Sequence, residues 1–289
     1  MFLNFFKIDH KIKKNIFITG VSSGIGFATA EYLLQHGHTV VGTVRSLQDS
    51  LILKKQFEST FFPIVVDLLC LDQIENIKLK LEQLNIHRLD AAVQNAGVAL
   101  AGPIEYQKFS EVEMILNLNV LAVIKTTQVL LPFLKRAQSP ARLVNISSVS
   151  GVGGTPFLAA YCASKHAIEG FSEALRRELA LYRMKVSIVG PGSIQTPIWD
   201  KGFNIVAHTY DKTEYKNSFQ KFIQFAEFEK LNALPVSHVV DCINHALFSK
   251  SPQLRYEPIP RKFRNWYLPK VIPKSLYDYL MCKALGIVS

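Results

Sequence analysis

The stretch AAYCASKHAIEG, residues 159 to 170, sets Tyr161 and Lys165 four positions apart among small side chains. On a helix that spacing is a little more than one turn, so the two side chains share a face. An ammonium held near a phenol favours the phenolate and lowers a tyrosine pKa that is ordinarily about 10. A pair of this kind is suited to proton donation near neutral pH. A second stretch, TGVSSGIG (19–26), carries Gly20, Gly24 and Gly26, which let the backbone turn sharply and approach a phosphate. Its flanks make it informative: an apolar run, NIFITG (15–20), leads into it, and a helical pattern through Ala28, Leu33 and Leu34 follows. A pyrophosphate is expected at the N-terminus of that helix.

The elements that must position these groups alternate along the chain. Strand-like runs occur at HTVVGTV (38–44), PIVVDLL (63–69), LDAAVQNAG (89–97), ARLVNISS (141–148) and KVSIVGPG (185–192). Between them, Ile74, Ile77, Leu81 and Leu84 fall at helical spacing within 72–85. Longer helices are expected from about Glu111 to Lys135 and over 157–182. Near-continuous apolar strands alternating with helices mean a parallel sheet covered on both faces. Right-handed crossovers then give an α/β, doubly wound fold of the Rossmann type, with ligands at the carboxyl ends of the strands. No linker or repeat interrupts the chain before residue 197, so one domain is expected over 1–289.

Bulk properties agree with a globular chain. Hydrophobic residues make up 48% of the 289 and charged residues 19%. Cys70, Cys162, Cys242 and Cys282 are scattered, form no pair or cluster at metal spacing, and read as reduced thiols; no metal is expected. The apolar start of MFLNFFKIDHKIKK is too short for a signal-peptide core or a membrane span, no later window offers a long uninterrupted apolar run, and the last four residues, GIVS, carry no prenylation cysteine. A cytoplasmic protein is the expectation, one that at most lies on a membrane. The net charge is +10, and residues 250–289 carry eight cations against two acids, a net +6. Such a tail suits phosphorylated cofactors, acyl carriers or lipid headgroups, or is simply a solvated basic surface. Nucleic acid is not an expected partner.

With Thr19-Gly-Val-Ser-Ser-Gly-Ile-Gly26 and Tyr161-Cys-Ala-Ser-Lys165 in one chain, the sequence resembles the short-chain dehydrogenase/reductase family, most like its hydroxysteroid and retinol dehydrogenase-like members. The resemblance covers about residues 14 to 197, and further motifs follow in order. Asp67-Leu68 looks like the pair that meets the adenine ring, and Asn95-Ala96-Gly97 like the segment lying against the cofactor. Asn119 resembles the active-site asparagine, Ser148 stands thirteen residues before Tyr161 where the catalytic serine is expected, and Pro191-Gly192-Ser-Ile194-Gln-Thr196 resembles the segment at the nicotinamide end. Two positions depart from the usual pattern: Gln94 replaces an Asn, and Gly190 stands where Asn is common before Pro-Gly.

The resemblance implies a catalytic set of Asn119, Ser148, Tyr161 and Lys165. Tyr161 is the expected general acid/base. Lys165 lowers its pKa and grips the nicotinamide ribose, Ser148 orients the substrate oxygen, and Asn119 holds a water in a proton relay. The cofactor set adds Ser22, Ser23 and Ile25 of the glycine loop to the residues already named. Where the second strand ends, VVGTVRSLQ offers Arg45 and no acid before Asp49. A guanidinium there suits a 2′-phosphate, with Ser22, Thr43 and Ser46 adding hydroxyls. NADP(H) is therefore expected before NAD(H).

Residues 197–232 are rich in large apolar groups, namely Trp199, Phe203, Tyr210, Tyr215, Phe219, Phe222, Phe225 and Phe228. By resemblance this is a lid over a lipophilic substrate; the alternative is that these rings pack the lid onto the body. An extension over about 250–289 resembles the tails of members acting on steroids, retinoids or other lipid alcohols. Leu276, Leu280 and Ala284 share a face there among cations, which suits a membrane surface, a lid helix or a subunit contact. The expected function is hydride transfer between NADP(H) and a lipophilic secondary alcohol or ketone. A 3-oxoacyl-carrier reductase and a non-catalytic NADP(H)-sensing regulator are the alternatives. The long helices from 111 and 157 imply a homodimer or homotetramer by resemblance.

Overall fold

The computed structural model describes residues 10–199 and 209–288; the apolar N-terminal start and Phe203 lie outside them. Seven strands, β1 (Asn15–Ile18), β2 (Thr39–Val44), β3 (Phe61–Val65), β4 (Ala91–Gln94), β5 (Arg142–Ile146), β6 (Lys185–Val189) and β7 (Arg255–Tyr256), form one sheet. Every pairing is parallel and the order is β3-β2-β1-β4-β5-β6-β7. The order reverses between β1 and β4, which opens a crevice above their carboxyl ends. Side chains alternate between two cores, as the period of a strand requires. Ile16, Ile18, Val93 and Val144 enter one, while Phe17, Ala92 and Leu143 enter the other. The first core is covered by α1 (Gly24–Gln35) and α9 (Ser237–Phe248), through Leu33, Leu34, Val239 and Ile243. The second is covered by α4 (Ile77–Gln83), α6 (Ala122–Leu134) and α7 (Ala159–Glu178), through Leu81, Leu130, Phe133 and Leu175.

Several boundaries differ from the sequence pattern for local reasons. β3 lies two residues earlier than expected and stops at Val65. Past it, the Gln73 side chain accepts from Asp67 N at 2.8 Å and the Asp67 carboxylate accepts from Leu69 N at 3.0 Å, so the backbone groups turn away from β2. The helical segment after it divides into α3 (Leu71–Glu75) and α4, keeping Ile74, Ile77 and Leu81 buried. The long central helix is α5 (Phe109–Leu116) and α6 joined by a π turn over Asn117–Leu121. The span Phe109–Leu134 is long and apolar enough to cross a membrane, yet Ile115, Val129, Leu130 and Phe133 are buried within the protein.

The C-terminal extension is a built part of the fold. β7 extends the sheet beside β6, and α10 (Leu268–Val271) and α11 (Lys274–Ala284) follow. The inner face of α11 packs through Met281 and Leu285 onto α8 (Lys216–Leu231), where Ser218 Oγ donates to Gly286 O at 2.9 Å. The outer face leaves Leu276, Tyr279 and Leu280 exposed. Of the aromatics expected in a lid, Tyr210, Phe219 and Phe222 are buried around Phe157, with ring centroids 4.8–5.5 Å apart for three of these pairs. Phe225 and Phe228 are exposed. Tyr210, Phe219 and Phe222 therefore fasten this segment to the body, with Tyr215 partly buried against them, while Trp199 lines the crevice at the carboxyl ends of the strands.

Behind the sheet, His38 is fully buried and neutral. Its Nδ1 accepts from Lys14 N at 3.3 Å and its Nε2 meets His10 Nδ1 at 2.9 Å. Burial, reinforced by nearby His10 and Lys13, pulls its pKa from 6.5 to about 4. The unfolded chain then binds a proton that the folded one refuses, so stability present above pH 6.5 is lost as the pH falls towards 4. The melting temperature should drop between pH 7 and pH 5, and less steeply in His38→Gln. An equal slope in the variant would clear His38 of that role.

Candidate active site

The glycine loop is held from two sides. Thr19 Oγ1 accepts from Asn95 N at 2.8 Å and Ala96 N at 3.0 Å, and Asn95 Nδ2 donates to Thr19 O and Gly20 O at 2.9 and 3.0 Å. Gly20 N donates to Thr43 Oγ1 at 2.9 Å, which ties the turn to β2. Gly20 and Gly24 have φ of +70 and +60, the left-handed region open to glycine. At Gly26 the constraint is space: a Cβ would stand 2.1 Å from Gly20 O and 2.4 Å from Asn95 Nδ2. The helix start that follows is bare, with no side-chain cap from Ser23 and no acid in the first turn of α1. Its N–H groups and positive dipole end face the crevice with no anion of the protein's own, so the residues present fit a pyrophosphate.

Across the crevice, β5 delivers Ser148 and α7 delivers Tyr161 and Lys165. Ser150 N donates to Ser148 Oγ at 3.1 Å, and the Ser148 hydroxyl lies close enough to the Tyr161 phenol to favour its phenolate. Lys165 is 5% exposed; it donates to Ile146 O at 3.0 Å, with its Nζ 5.8 Å from the Tyr161 ring centroid. Burial lowers the Lys165 pKa to about 8, opposed by the Glu169 carboxylate. The Tyr161 phenol is pushed up to about 12 by burial, and the neighbouring Ser148 hydroxyl pulls the other way. Desolvation is the largest influence on Tyr161 here, and the Lys165 ammonium donates to a carbonyl.

Asn119 lies in the π turn, a helical irregularity frequent at functional sites. Its Oδ1 accepts from Val98 N at 2.9 Å, and its Nδ2 donates to Val98 O at 2.9 Å and to Ser164 Oγ at 3.0 Å. The side chain thus fastens α7 to the segment after β4. At Gly97 a Cβ would come within 3.1 Å of Asn119 Oδ1 and 3.7 Å of Lys165 Nζ, so the amide and the ammonium converge on that glycine.

A cavity of about 530 Å³ runs along these groups, within the range of small-molecule sites. Of the site residues expected from sequence, all line it except Gly26, Asn119 and Ser46. Exposed Arg45 is at its rim. Asp49 is turned away: its carboxylate accepts from Ser46 N at 3.1 Å while Ser46 Oγ accepts from Asp49 N at 3.4 Å, a closed capping box. Ser46, offered above as a phosphate contact, is spent in that box and is absent from the lining. Sequence reasoning missed Met114, Leu118 and Leu158, which give the cavity an apolar wall. The four-residue spacing of Met114 and Leu118 was the available signal.

A parallel sheet with an uncapped helix at its switch point and a Ser-Tyr-Lys group opposite defines a dinucleotide-dependent oxidoreductase. The chain belongs to the short-chain dehydrogenase family, whose model matches residues 14–204. It is 34% identical over 273 residues to an NADPH-dependent 3-dehydrocapnine reductase of Ornithobacterium rhinotracheale, covering 93% of this chain and 96% of that one. It is 30% identical to a 3-ketodihydrosphingosine reductase of Bacteroides thetaiotaomicron, covering 92% and 96%. A crystal structure of a short-chain dehydrogenase from Streptomyces avermitilis superposes with a TM-score of 0.75 at 26% identity, covering 93% of this chain and 95% of that one.

The contacts at Gly26 generate a direct test. Gly26→Ala must displace backbone at Gly20 or the Asn95 amide, and overpacking of this kind costs about 1–3 kcal/mol. A lower melting temperature together with weaker NADPH binding by fluorescence titration is expected. Unchanged values for both would mean that the loop yields freely.

Proposed function

We propose that the protein is an NADPH-dependent reductase of a lipophilic ketone, and that the substrate is a 3-oxo long-chain lipid of the ketodihydrosphingosine kind. The observation that carries this reading is the Ser148–Tyr161 hydroxyl pair set against the apolar wall of Met114, Leu118 and Leu158. The similarity to two reductases over nearly the whole chain supports the choice of substrate class.

Bound NADPH supplies the hydride. Ser148, whose oxygen already accepts from Ser150 N, directs its hydroxyl hydrogen outward and holds the ketone oxygen. Burial keeps the Tyr161 phenol protonated at neutral pH, the state a reductase needs, and Tyr161 gives that proton to the oxygen as the carbonyl becomes an alcohol. Lys165, still largely cationic at pH 7, stabilises the phenolate left behind. Asn119 maintains the geometry of α7 beside the lysine, and the proton relay assigned to it is part of this proposal.

The preference for NADPH rests on Arg45 at the cavity rim and on the engagement of Asp49 with Ser46, which keeps the carboxylate of that loop away from a 2′-phosphate. Arg45→Glu should lower affinity for NADPH by about tenfold or more, the loss of a charge-assisted contact, with NADH affected little. Unaltered NADPH affinity would remove Arg45 from the site.

The primary experiment follows NADPH oxidation with ketodihydrosphingosine, steroid, retinal and 3-oxoacyl-thioester substrates, with Tyr161→Phe in parallel. Turnover of the long-chain ketone, reduced about 10²–10⁴-fold in the variant, is expected. Preference for the thioester would make the protein an oxoacyl reductase. Tight NADPH binding without turnover in either direction would make it a sensor.

A further inference from the structure

The single guanidinium of Arg255 joins three parts of the protein that the chemistry needs in register. Arg255 begins β7, opposite Ile188 of β6, and its side chain crosses the sheet end towards the site. Nη2 donates to Ser148 O at 3.1 Å and to Glu169 Oε1 at 3.1 Å. Nε reaches both Glu169 oxygens at 3.3 and 3.2 Å, and Nη1 meets Glu257 Oε1 at 3.4 Å. Buried Trp266 lies under the guanidinium with its ring 4.7 Å away. Glu169 is one turn beyond Lys165 and two beyond Tyr161 on α7. The serine and the Tyr-Lys pair are thus tied to one charged group on the C-terminal extension.

Gly190 records the same arrangement. A Cβ there would stand 2.1 Å from Arg255 Nη2 and 2.6 Å from its Cζ, so any side chain at 190 would overlap the guanidinium. The glycine found where Asn is common is therefore the counterpart of Arg255. With side-chain exposures of 17% and 16%, Arg255 and Glu169 form a pair whose partners are expensive to leave alone.

We infer that Arg255 is a positioning residue for the reduction: through Ser148 O and Glu169 it sets the separation between the serine and the Tyr161–Lys165 pair, making the extension a working part of the active site. The inference rests on the reading that Ser148, Tyr161 and Lys165 perform the chemistry. Arg255 touches neither cofactor nor substrate, so its effect belongs in turnover more than in affinity.

The test compares Arg255→Lys, Arg255→Met, Gly190→Asn and the double variant Gly190→Asn/Arg255→Met. Each is assayed for kcat, KM and NADPH affinity, with rates referred to protein that binds NADPH. The expected result is a fall in kcat of about ten- to a hundredfold in the three single variants, as small misplacements give. KM and the NADPH dissociation constant should stay within about threefold of wild type. The double variant should lose less than the product of its parents, because the side chain introduced at position 190 then occupies the space that the guanidinium vacates. Lys, which keeps the charge without the fork, should retain more turnover than Met. Wild-type kcat in Arg255→Lys and Gly190→Asn, or losses that multiply in the double variant, would overturn the inference. Should Arg255→Met not fold, those two single variants decide it alone. An active Tyr161→Phe would instead overturn the underlying reading, so the two failures are told apart.

Discussion

The ammonium of Lys165 is buried beneath the carboxyl ends of β4 and β5, and the surrounding structure is arranged around that fact. An ion withdrawn from water costs several kcal/mol unless its donors are used and a counter-charge is near. Here Ile146 O accepts a hydrogen bond from the ammonium at 3.0 Å, and the Glu169 carboxylate supplies the opposing charge. Gly97 leaves the space in which Lys165 Nζ and Asn119 Oδ1 approach each other. These contacts exist only if α7 stands at a fixed height against the sheet. Two hydroxyls set that height: Ser164 accepts from Asn119 and donates to Tyr161 O, and Ser172 accepts from Asn145 and donates to Ile168 O. Each Ser links its own helix to an amide on a neighbouring element.

The same helix stands between cores of different composition, with Leu175 in one and Cys162 in another. The two cores on the faces of the sheet are mostly aliphatic, with Phe17, Phe61 and Phe133 among them, and hold the strand ends in position. The third, around Phe157, Phe219 and Phe222, is largely aromatic and attaches α8 and α11 next to Tyr161. Rings packed edge to face bring large area with defined geometry. The wall beside the phenol is therefore backed by packed rings on one side, while Met114 and Leu118 form an aliphatic side.

Local chemistry was legible in the sequence wherever a few adjacent residues decide it. The turn at Gly20 and Gly24, the shared face of Tyr161 and Lys165, and the apolar strands from Asn15 to Val189 all follow from spacing and side-chain type. What depends on distant partners was not legible. β7 has two residues, too few for any alternating pattern, and exists because Gly190 N and Ile188 N find the carbonyls of Tyr256 and Leu254. The π turn at Asn119 leaves the apolar periodicity nearly unchanged. Aromatic residues after Thr196 looked equally suited to a pocket or a core, and only their burial around Phe157 separates those roles. Small residues around Tyr161 also divide: Ala160 and Ser164 pack inward, whereas Ala159 and Ala163 face outward. The phenol's pKa follows from desolvation, which no local motif reports.

The sheet also ends in a way that governs what it can do in company. At one margin β3 carries Pro63 in its middle, and the Lys80 ammonium covers the carbonyl of Val65. At the other, β7 is only two residues long, and the chain leaves it through Pro258 and Pro260. A proline offers no donor to an incoming strand, and a short margin gives it little to align with. Neither side is a template for another chain's backbone. A molecule with so much β-branched sequence is thereby guarded against strand-by-strand polymerisation when crowded, a safeguard built into the same extension that reaches the serine.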